Sequence, residues 1–336
     1  MLRHSLPLFT LALAPVLLPI ALTGCLDPDD PGNLVPKTVV EDPSLPHIEV
    51  AGALLHAEAF GPAVAPTAIV LHGGPGSDYR NLLPLSALAD DGYRVQFWDQ
   101  RGTGLSQRFD ADSYSFAGYL EDLRLVVEKT VAPGQPFVFI GHSWGAMYAT
   151  WFINEYGDYG GRLRGAILTD PGGFTLAELD DFIGRYMGSF DLTGEQLNDA
   201  FWSGQFMSAA DHARADYMRG MLTLGGIPAE HPDPAKPAPF WRAGAVVNDA
   251  LFKIAKKGFD WTTNLGRFGH KVLFLRGDLD TAHTLEQQQM LAAYFPVAEI
   301  VTITNVGHNQ PWERPAEYLA HSRAYFQAIG FVGGAQ

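Results

Sequence analysis

The chain has 336 residues, 47% of them hydrophobic and 18% charged, with a formal net charge of −14. That balance is ordinary for a globular protein and, with no basic cluster, argues against nucleic acid as a partner. No metal-ligand spacing and no dinucleotide-type glycine fingerprint occurs, so neither a metal nor another cofactor is expected.

At the start, Arg3 precedes an apolar run from Leu6 to Leu22 that is interrupted by Pro7, Pro15 and Pro19. A basic start and a short apolar core fit a secretory signal better than a spanning helix. The run closes on Leu22-Thr23-Gly24-Cys25, which resembles the lipobox of bacterial lipoproteins. The resemblance implies a signal peptide over residues 1–24, cleaved before Cys25, and acylation of that cysteine. Cys25 is the only cysteine, so it has no intramolecular disulfide partner. Each buried CH₂ of an acyl chain contributes about 0.8 kcal/mol, so several chains anchor firmly. Leu26, rather than Asp, follows the cysteine; by lipoprotein sorting rules this implies the outer membrane, on the periplasmic side. Residues 25–45, opening Cys25-Leu26-Asp27-Pro28-Asp29-Asp30-Pro31, are acidic and Pro-rich and are expected to form a solvated tether.

From His47 to Phe60 the pattern predicts a hairpin. Ala68–Leu71 then reads as a buried strand ending in His72-Gly73-Gly74-Pro75-Gly76, and Arg94–Trp98 as another, followed by Asp99-Gln100-Arg101-Gly102-Thr103-Gly104-Leu105-Ser106. Phe137–Ile140 is a third apolar run. It leads into Gly141-His142-Ser143-Trp144-Gly145, with helical composition from Ala146 to Tyr156. A serine on a sharp strand-to-helix turn projects its hydroxyl into a cleft, and the flanking glycines permit the tight turn. The next backbone N–H, of Trp144, lies at a helix N-terminus and can face a developing oxyanion. Gly165–Leu168 reads as a further strand. The alternation implies a mostly parallel sheet covered by helices.

Residues 174–264 break this alternation. They carry Tyr186, Phe190, Phe201, Trp202, Phe206, Tyr217, Phe240, Trp241, Phe252 and Trp261, and a Pro-rich stretch from Pro228 to Pro239. This segment is expected to be a helical cap, its aromatics mostly cap core with some lining an apolar pocket. The α/β core is then 46–173 and 265–333. In its second part, Val272–Leu275 reads as a strand ending in Arg276-Gly277-Asp278-Leu279-Asp280. Glu299–Ile303 reads as the last strand, followed by Asn305-Val306-Gly307-His308. A serine nucleophile needs a base, and the base an orienting acid. Both follow Ser143 here at the C-terminal ends of strands, the edge where open parallel sheets bind ligands.

The three loops 72–76, 99–106 and 141–146 resemble, in order, the signatures of proline iminopeptidase-like α/β-hydrolases. The resemblance implies an α/β-hydrolase fold with a mostly parallel sheet and an inserted helical cap. It also implies a Ser143-His308-Asp280 triad working through an acyl-enzyme, with the N–H groups of Gly74 and Trp144 as the oxyanion hole. Asp280 takes the acid's place by family spacing, although Asp278 lies in the same loop and spacing alone does not choose between them. Asp99 and Arg101 read as a charge-assisted pair that pins loops, His72 and His142 as loop-positioning residues, and His283 as a weaker base candidate than His308. The implied substrate is a small peptide with a free N-terminus. Relatives of this type use cap acids, commonly with a Trp-Glu pair, to bind the substrate ammonium. The one Trp-Glu here, Trp312-Glu313, follows His308, outside the cap. Small esters are therefore the alternative substrate class, and a non-catalytic binding protein the alternative of a different kind.

Overall fold

The computed structural model describes residues 35–188, 212–225 and 238–334. Its centre is an eight-stranded sheet in the order β1-β2-β4-β3-β5-β6-β7-β8. β1 (His47–Val50) and β2 (Ala53–Phe60) form an antiparallel hairpin, and β2 pairs antiparallel with β4 (Arg94–Trp98). All other pairings are parallel, through β3 (Thr67–Leu71), β5 (Phe137–His142), β6 (Leu163–Thr169), β7 (Val272–Gly277) and β8 (Ala298–Ile303).

β3, β5 and β7 are buried at every position, as expected for parallel strands covered on both faces, and this is why they read as unbroken apolar runs. Successive side chains still point to opposite faces. Ile69, Leu71, Phe137 and Phe139 join one hydrophobic core, whereas Ala68, Val70, Val138 and Ile140 join the other. The covering helices are α1 (Phe116–Thr130), α2 (Trp144–Tyr156), α6 (Leu285–Ala292), the single turn α7 (Gln310–Glu313) and α8 (Pro315–Ala328). Ser115 and Thr284 cap α1 and α6, each accepting a backbone N–H from the first turn. Between β3 and β4 the chain is a 3₁₀ segment, Arg80–Asp91, with Pro84 inside it.

Between β6 and β7 lie α3 (Leu176–Gly188), α4 (Ala213–Gly225) and α5 (Ala245–Ala255). The two ends of this insertion are joined by a Thr175–Asp260 bridge, and Trp261 N–H donates to Phe174 O at 2.9 Å. Its aromatics divide between the expected roles. Trp261 stacks on Trp151 of α2 at 4.8 Å and is core, while Phe252 lines the cleft beside Ser143. Phe190, Phe201, Trp202 and Phe206 lie outside the described residues.

Residues 35–45 depart from the expected solvated tether. Val39 is fully buried and its N–H donates to Leu105 O at 2.8 Å. The Arg242 guanidinium donates to Pro36 O at 2.9 Å and pairs with Glu41 at 3.1 Å. The composition is that of a linker, but two valines supply apolar surface and a buried cation calls for the carboxylate. Residues 25–34 lie outside the described residues.

Arg242 also pairs with Asp216 of α4 at 2.8 Å, and Arg108 pairs with the same carboxylate oxygen at 2.9 Å. The other Asp216 oxygen accepts the Ala245 N–H at 3.0 Å, at the start of α5. Removing one partner of a buried ion group leaves uncompensated charge, which costs far more than the net value of the pair. Asp216→Ala is expected to lower stability by about 3 kcal/mol in urea unfolding, whereas Asp181→Ala, at an exposed i,i+4 pair with Arg185, should change it by less than about 0.5 kcal/mol.

Candidate active site

Ser143 sits between β5 and α2 with φ 55° and ψ −120°. A non-glycine residue held there is strained by about 1–3 kcal/mol and persists only where its surroundings over-determine it. Its N–H donates to Thr169 O of β6 at 2.7 Å, and its own carbonyl accepts the N–H groups of Ala146 and Met147 at 2.9 and 3.2 Å. The flanking glycines are required by close approach. A Cβ on Gly145 would overlap the Leu71 carbonyl, and one on Gly141 would overlap Gly145. The helix can therefore rise directly off the strand, which places Trp144 N–H in its first turn.

The loop after β3 lies against this elbow. A Cβ on Gly73 would contact the Ser143 side chain at 3.1 Å, and Gly74 has φ 124°. His72 donates from Nδ1 to Gly73 O at 2.8 Å and accepts Gln100 N–H at Nε2 at 3.0 Å. Gln100 also donates its amide to His72 O at 3.0 Å and accepts the Trp144 indole N–H at 2.9 Å. One glutamine thus ties the loops after β3, β4 and β5 together. Burial lowers the His72 pKa, so the ring is neutral, as its accepting Nε2 requires. Asp99 and Arg101 do pin loops, but they do not pair with each other. Asp99 pairs with His56 at 2.8 Å and accepts the N–H groups of Tyr79 and Leu105, while Arg101 grips Asp122 of α1 with two bonds of 2.6 and 2.7 Å. The partners come from β2 and α1, which adjacency in sequence does not reveal.

His308 is latched to the elbow by its backbone. The His142 Nε2–H donates to His308 O at 2.7 Å, and the two rings are 4.5 Å apart. Burial and the neighbouring His308 charge push the His142 pKa down to about 3, so this latch is neutral. His308 Nδ1 lies 3.2 Å from Asp280 Oδ2 and 3.4 Å from Asp170 Oδ2. Asp278, by contrast, is exposed and accepts the Val306 N–H at 3.3 Å. The structure therefore brings Asp280, not Asp278, to the histidine. Burial opposes ionisation of Asp280, but His283 and His308 outweigh it and hold the carboxylate well below its usual range. Burial likewise opposes the charge on His308, and the two acids outweigh it, raising the pKa to about 10.

Two members of this cluster have roles that the sequence did not reveal. His283 donates Nδ1–H to Asp280 at 2.7 Å and stacks on His308 at 4.4 Å with an interplanar angle of 1°. Asp170, fully buried at the end of β6, stands in Thr169-Asp170-Pro171-Gly172 and reads as an ordinary turn. The available signal was its place at the C-terminal end of a parallel strand. One polar atom each of Asp170, Asp280, His283 and His308 lies within 4.8 Å of the others. Such a group is compact enough for a metal's donor set, and within it Asp280 is bonded to His283 and lies close to His308.

Ser143 opens onto a cleft of about 380 Å³, part of it continuous with solvent. Gly74, Pro75 and Trp144 form the floor, Leu179 and Phe182 of α3 one wall, and Leu251, Phe252 and Ala255 of α5 another.

A serine on a strand-to-helix elbow, a histidine backed by a buried carboxylate and a mostly parallel sheet covered by helices define a hydrolase of the α/β-hydrolase fold. Residues 68–321 match the Alpha/beta hydrolase family, and the chain belongs to it. Within that family it is similar to proline iminopeptidases. The enzyme of Thermoplasma volcanium is 30% identical over 262 residues, covering 74% of this chain and 85% of its own. Proline iminopeptidase PfmaB of Pestalotiopsis fici is 26% identical over 286 residues, covering 78% and 92%. The crystal structure of proline iminopeptidase from Mycobacterium smegmatis shares the fold, with a TM-score of 0.58 at 18% identity over 85% of this chain and 98% of that one.

Replacing Ser143 by Ala removes the candidate attacking oxygen at a site whose strain alanine also bears. The variant is expected to fold with unchanged circular dichroism, to lose hydrolysis of p-nitrophenyl esters, and to escape labelling by a fluorophosphonate probe that marks the parent.

Proposed function

We propose that the protein is a serine hydrolase of the proline iminopeptidase type, releasing the N-terminal residue of small peptides through an acyl-enzyme on Ser143. The observation that carries this reading is the strained Ser143 lining a small apolar cleft, with His308 latched by its backbone to the neighbouring His142. His308 takes the Ser143 proton as the oxygen attacks the scissile carbonyl, and Asp280 stabilises the imidazolium that forms. The N–H groups of Gly74 and Trp144 hold the oxyanion, a donor of this kind being worth about 3–4 kcal/mol. His308 then protonates the leaving amine, and water releases the acyl group by the same steps. The apolar walls suit a pyrrolidine or small aliphatic side chain, and the similarity to proline iminopeptidases over most of the chain supports the peptide reading.

The lining of the cleft favours a second reading, an esterase. Among the described residues no carboxylate lines it. Asp180, Asp181 and Asp249 are exposed, Glu178 accepts the N–H groups of Phe174 and Thr175, and Asp216 is paired with two arginines. Glu195, Asp199, Asp211 and Glu230 lie outside the described residues. A buried carboxylate facing the substrate ammonium makes a free amine valuable, whereas apolar walls are indifferent to it. Pro-, Ala- and Leu-p-nitroanilide, their N-acetylated forms and short-chain p-nitrophenyl esters separate the two. The peptidase cleaves the free-amine anilides and loses at least about 100-fold in kcat/KM on acetylation, the scale of about 3 kcal/mol for a desolvated charge pair. Ester turnover without anilide cleavage, or indifference to acetylation, assigns the esterase.

We also propose that Cys25 is acylated and holds the enzyme at a bacterial membrane. The support is the Leu22-Thr23-Gly24-Cys25 end of the apolar segment, which lies outside the described residues; among those described, no helix is long and apolar enough to cross a membrane. Cys25→Ser is expected to abolish incorporation of labelled fatty acid and to move exported protein into the soluble fraction. An unmodified Cys25 thiol in the mature parent, seen by mass spectrometry, overturns the proposal.

A further inference from the structure

We propose that Asp170 is a second orienting carboxylate for His308, so that the histidine's Nδ1–H is shared between acids on two neighbouring strand ends. This rests on the reading of His308 as the base, and it begins from the state of Asp280. Asp280 Oδ1 already accepts the N–H groups of Ala282 and His283, both at 3.0 Å. Its Oδ2, the oxygen that faces His308 at 3.2 Å, is engaged more closely by His283 Nδ1 at 2.7 Å. The acid expected to serve the base is divided between two histidines. Asp170 Oδ2 stands at 3.4 Å on the same ring nitrogen, and in neither approach does that nitrogen reach full hydrogen-bond alignment. It lies between the two carboxylates rather than committed to one.

Asp170 is built into this place. It has φ 45°, a left-handed conformation for a non-glycine residue, and its N–H donates to Leu275 O of β7 at 3.1 Å. The Gln310 side-chain amide on α7 donates to its Oδ2, while Oδ1 is buried without a partner. A fully buried carboxylate with one oxygen unsatisfied calls for compensation close by; burial, reinforced by the Asp280 charge, raises the Asp170 pKa, and the adjacent His308 opposes that rise. A role confined to closing a turn requires neither the strain nor the burial.

The groups facing His308 are Asp170 from the end of β6, Asp280 and His283 from the loop after β7, and His142 from the end of β5. Arg276, bonded to His283 O, and Tyr318, whose hydroxyl meets Thr169, stand behind them. The base must be neutral to accept the Ser143 proton, so kcat/KM rises with pH through the His308 pKa. Two carboxylates stabilise the imidazolium of the transition state and hold this rise at alkaline pH. Taking away the Asp170 charge lowers the His308 pKa and moves the rise to lower pH.

The test compares the parent, Asp170→Asn, Asp280→Asn and the double variant on a p-nitrophenyl ester, with thermal unfolding as the check of folding. A parallel NMR titration of His308 in the Ser143→Ala background reads the pKa without turnover. Asp170→Asn is expected to shift the rising limb of kcat/KM down by about one pH unit or more, with kcat reduced and KM held within about twofold. In Asp280→Asn, the remaining Asp170 is expected to keep the His308 pKa above the ordinary 6.5, and the double variant to lose at least about tenfold more activity than either single one. A limb and a His308 pKa unmoved by Asp170→Asn overturn the proposal. Should that variant not fold, a His308 pKa at or below 6.5 in Asp280→Asn overturns it instead. Loss of all activity in Ser143→Ala together with an unmoved limb leaves the serine hydrolase reading standing and removes only this one.

Discussion

The constraint on which the site depends is the backbone of Ser143. A serine at φ 55° and ψ −120° is placed there by contacts on three sides. Thr169 of β6 receives its N–H, Gly145 lets α2 pass over the Leu71 carbonyl, and Gly73 brings the loop after β3 against its side chain. Strain of this kind is maintained by the rest of the fold, and the central strands are fully buried on both faces. A rigid sheet edge is what permits a loop residue to be held to a fixed geometry. The loops after β3 and β4 are then fastened to the same edge by hydrogen bonds of Gln100 and His72, neutral groups that leave the charge of the site to the histidine and its acids.

That charge is concentrated around His308, which is bonded to the elbow through His142. Burial alone favours a neutral His308 and protonated acids, and the cluster reverses both tendencies at Asp280 and His308 through mutual proximity. His142 shows the other outcome. It is buried beside the same histidine with no carboxylate bonded to it, and its pKa falls to about 3. Two histidines in contact thus differ in role because one faces carboxylates and the other a carbonyl. The first carries the proposed role of base, and the second is a fixed donor that secures the loop carrying the first.

Much of this was legible in the sequence for a physical reason. Parallel strands buried on both faces leave unbroken apolar runs, and chemistry in such sheets lies at strand ends, so Ser143, Asp280 and His308 each followed a recognisable run. Asp170 occupies an equivalent position after β6, but an aspartate before Pro-Gly is also what a plain turn requires, and only distance to His308 separates the two. Asp99 and Arg101 fasten loops, but not as the pair that their adjacency in sequence suggests. Their partners, His56 and Asp122, lie 43 and 21 residues away in the chain, and local pattern carries no information about them. Residues 35–45 depart from what their composition suggests because composition describes a segment's average, whereas Val39 and Glu41 are placed by what they meet, the loop near Leu105 and the buried Arg242.

The apolar cleft and the oxyanion loop are not independent parts. α5 supplies Leu251, Phe252 and Ala255 to the cleft wall. From its buried side the Asn248 amide donates to Pro75 O, and Gly244 N–H just before it donates to Gly76 O at 2.7 Å. The loop that carries Gly74 is therefore held on one side by Gln100 and His72 and on the other by the insertion. On the proposed reading, a substrate group that fills the cleft presses on the same helix that braces this loop. Contacts remote from the scissile bond can in this way affect the geometry at the carbonyl oxygen, which is how binding energy away from the reacting atoms reaches the rate as well as the affinity. The wall of the cleft and the position of the loop that carries Gly74 are accordingly coupled through α5, while Leu179 and Phe182 of α3 line the cleft without a bond to that loop.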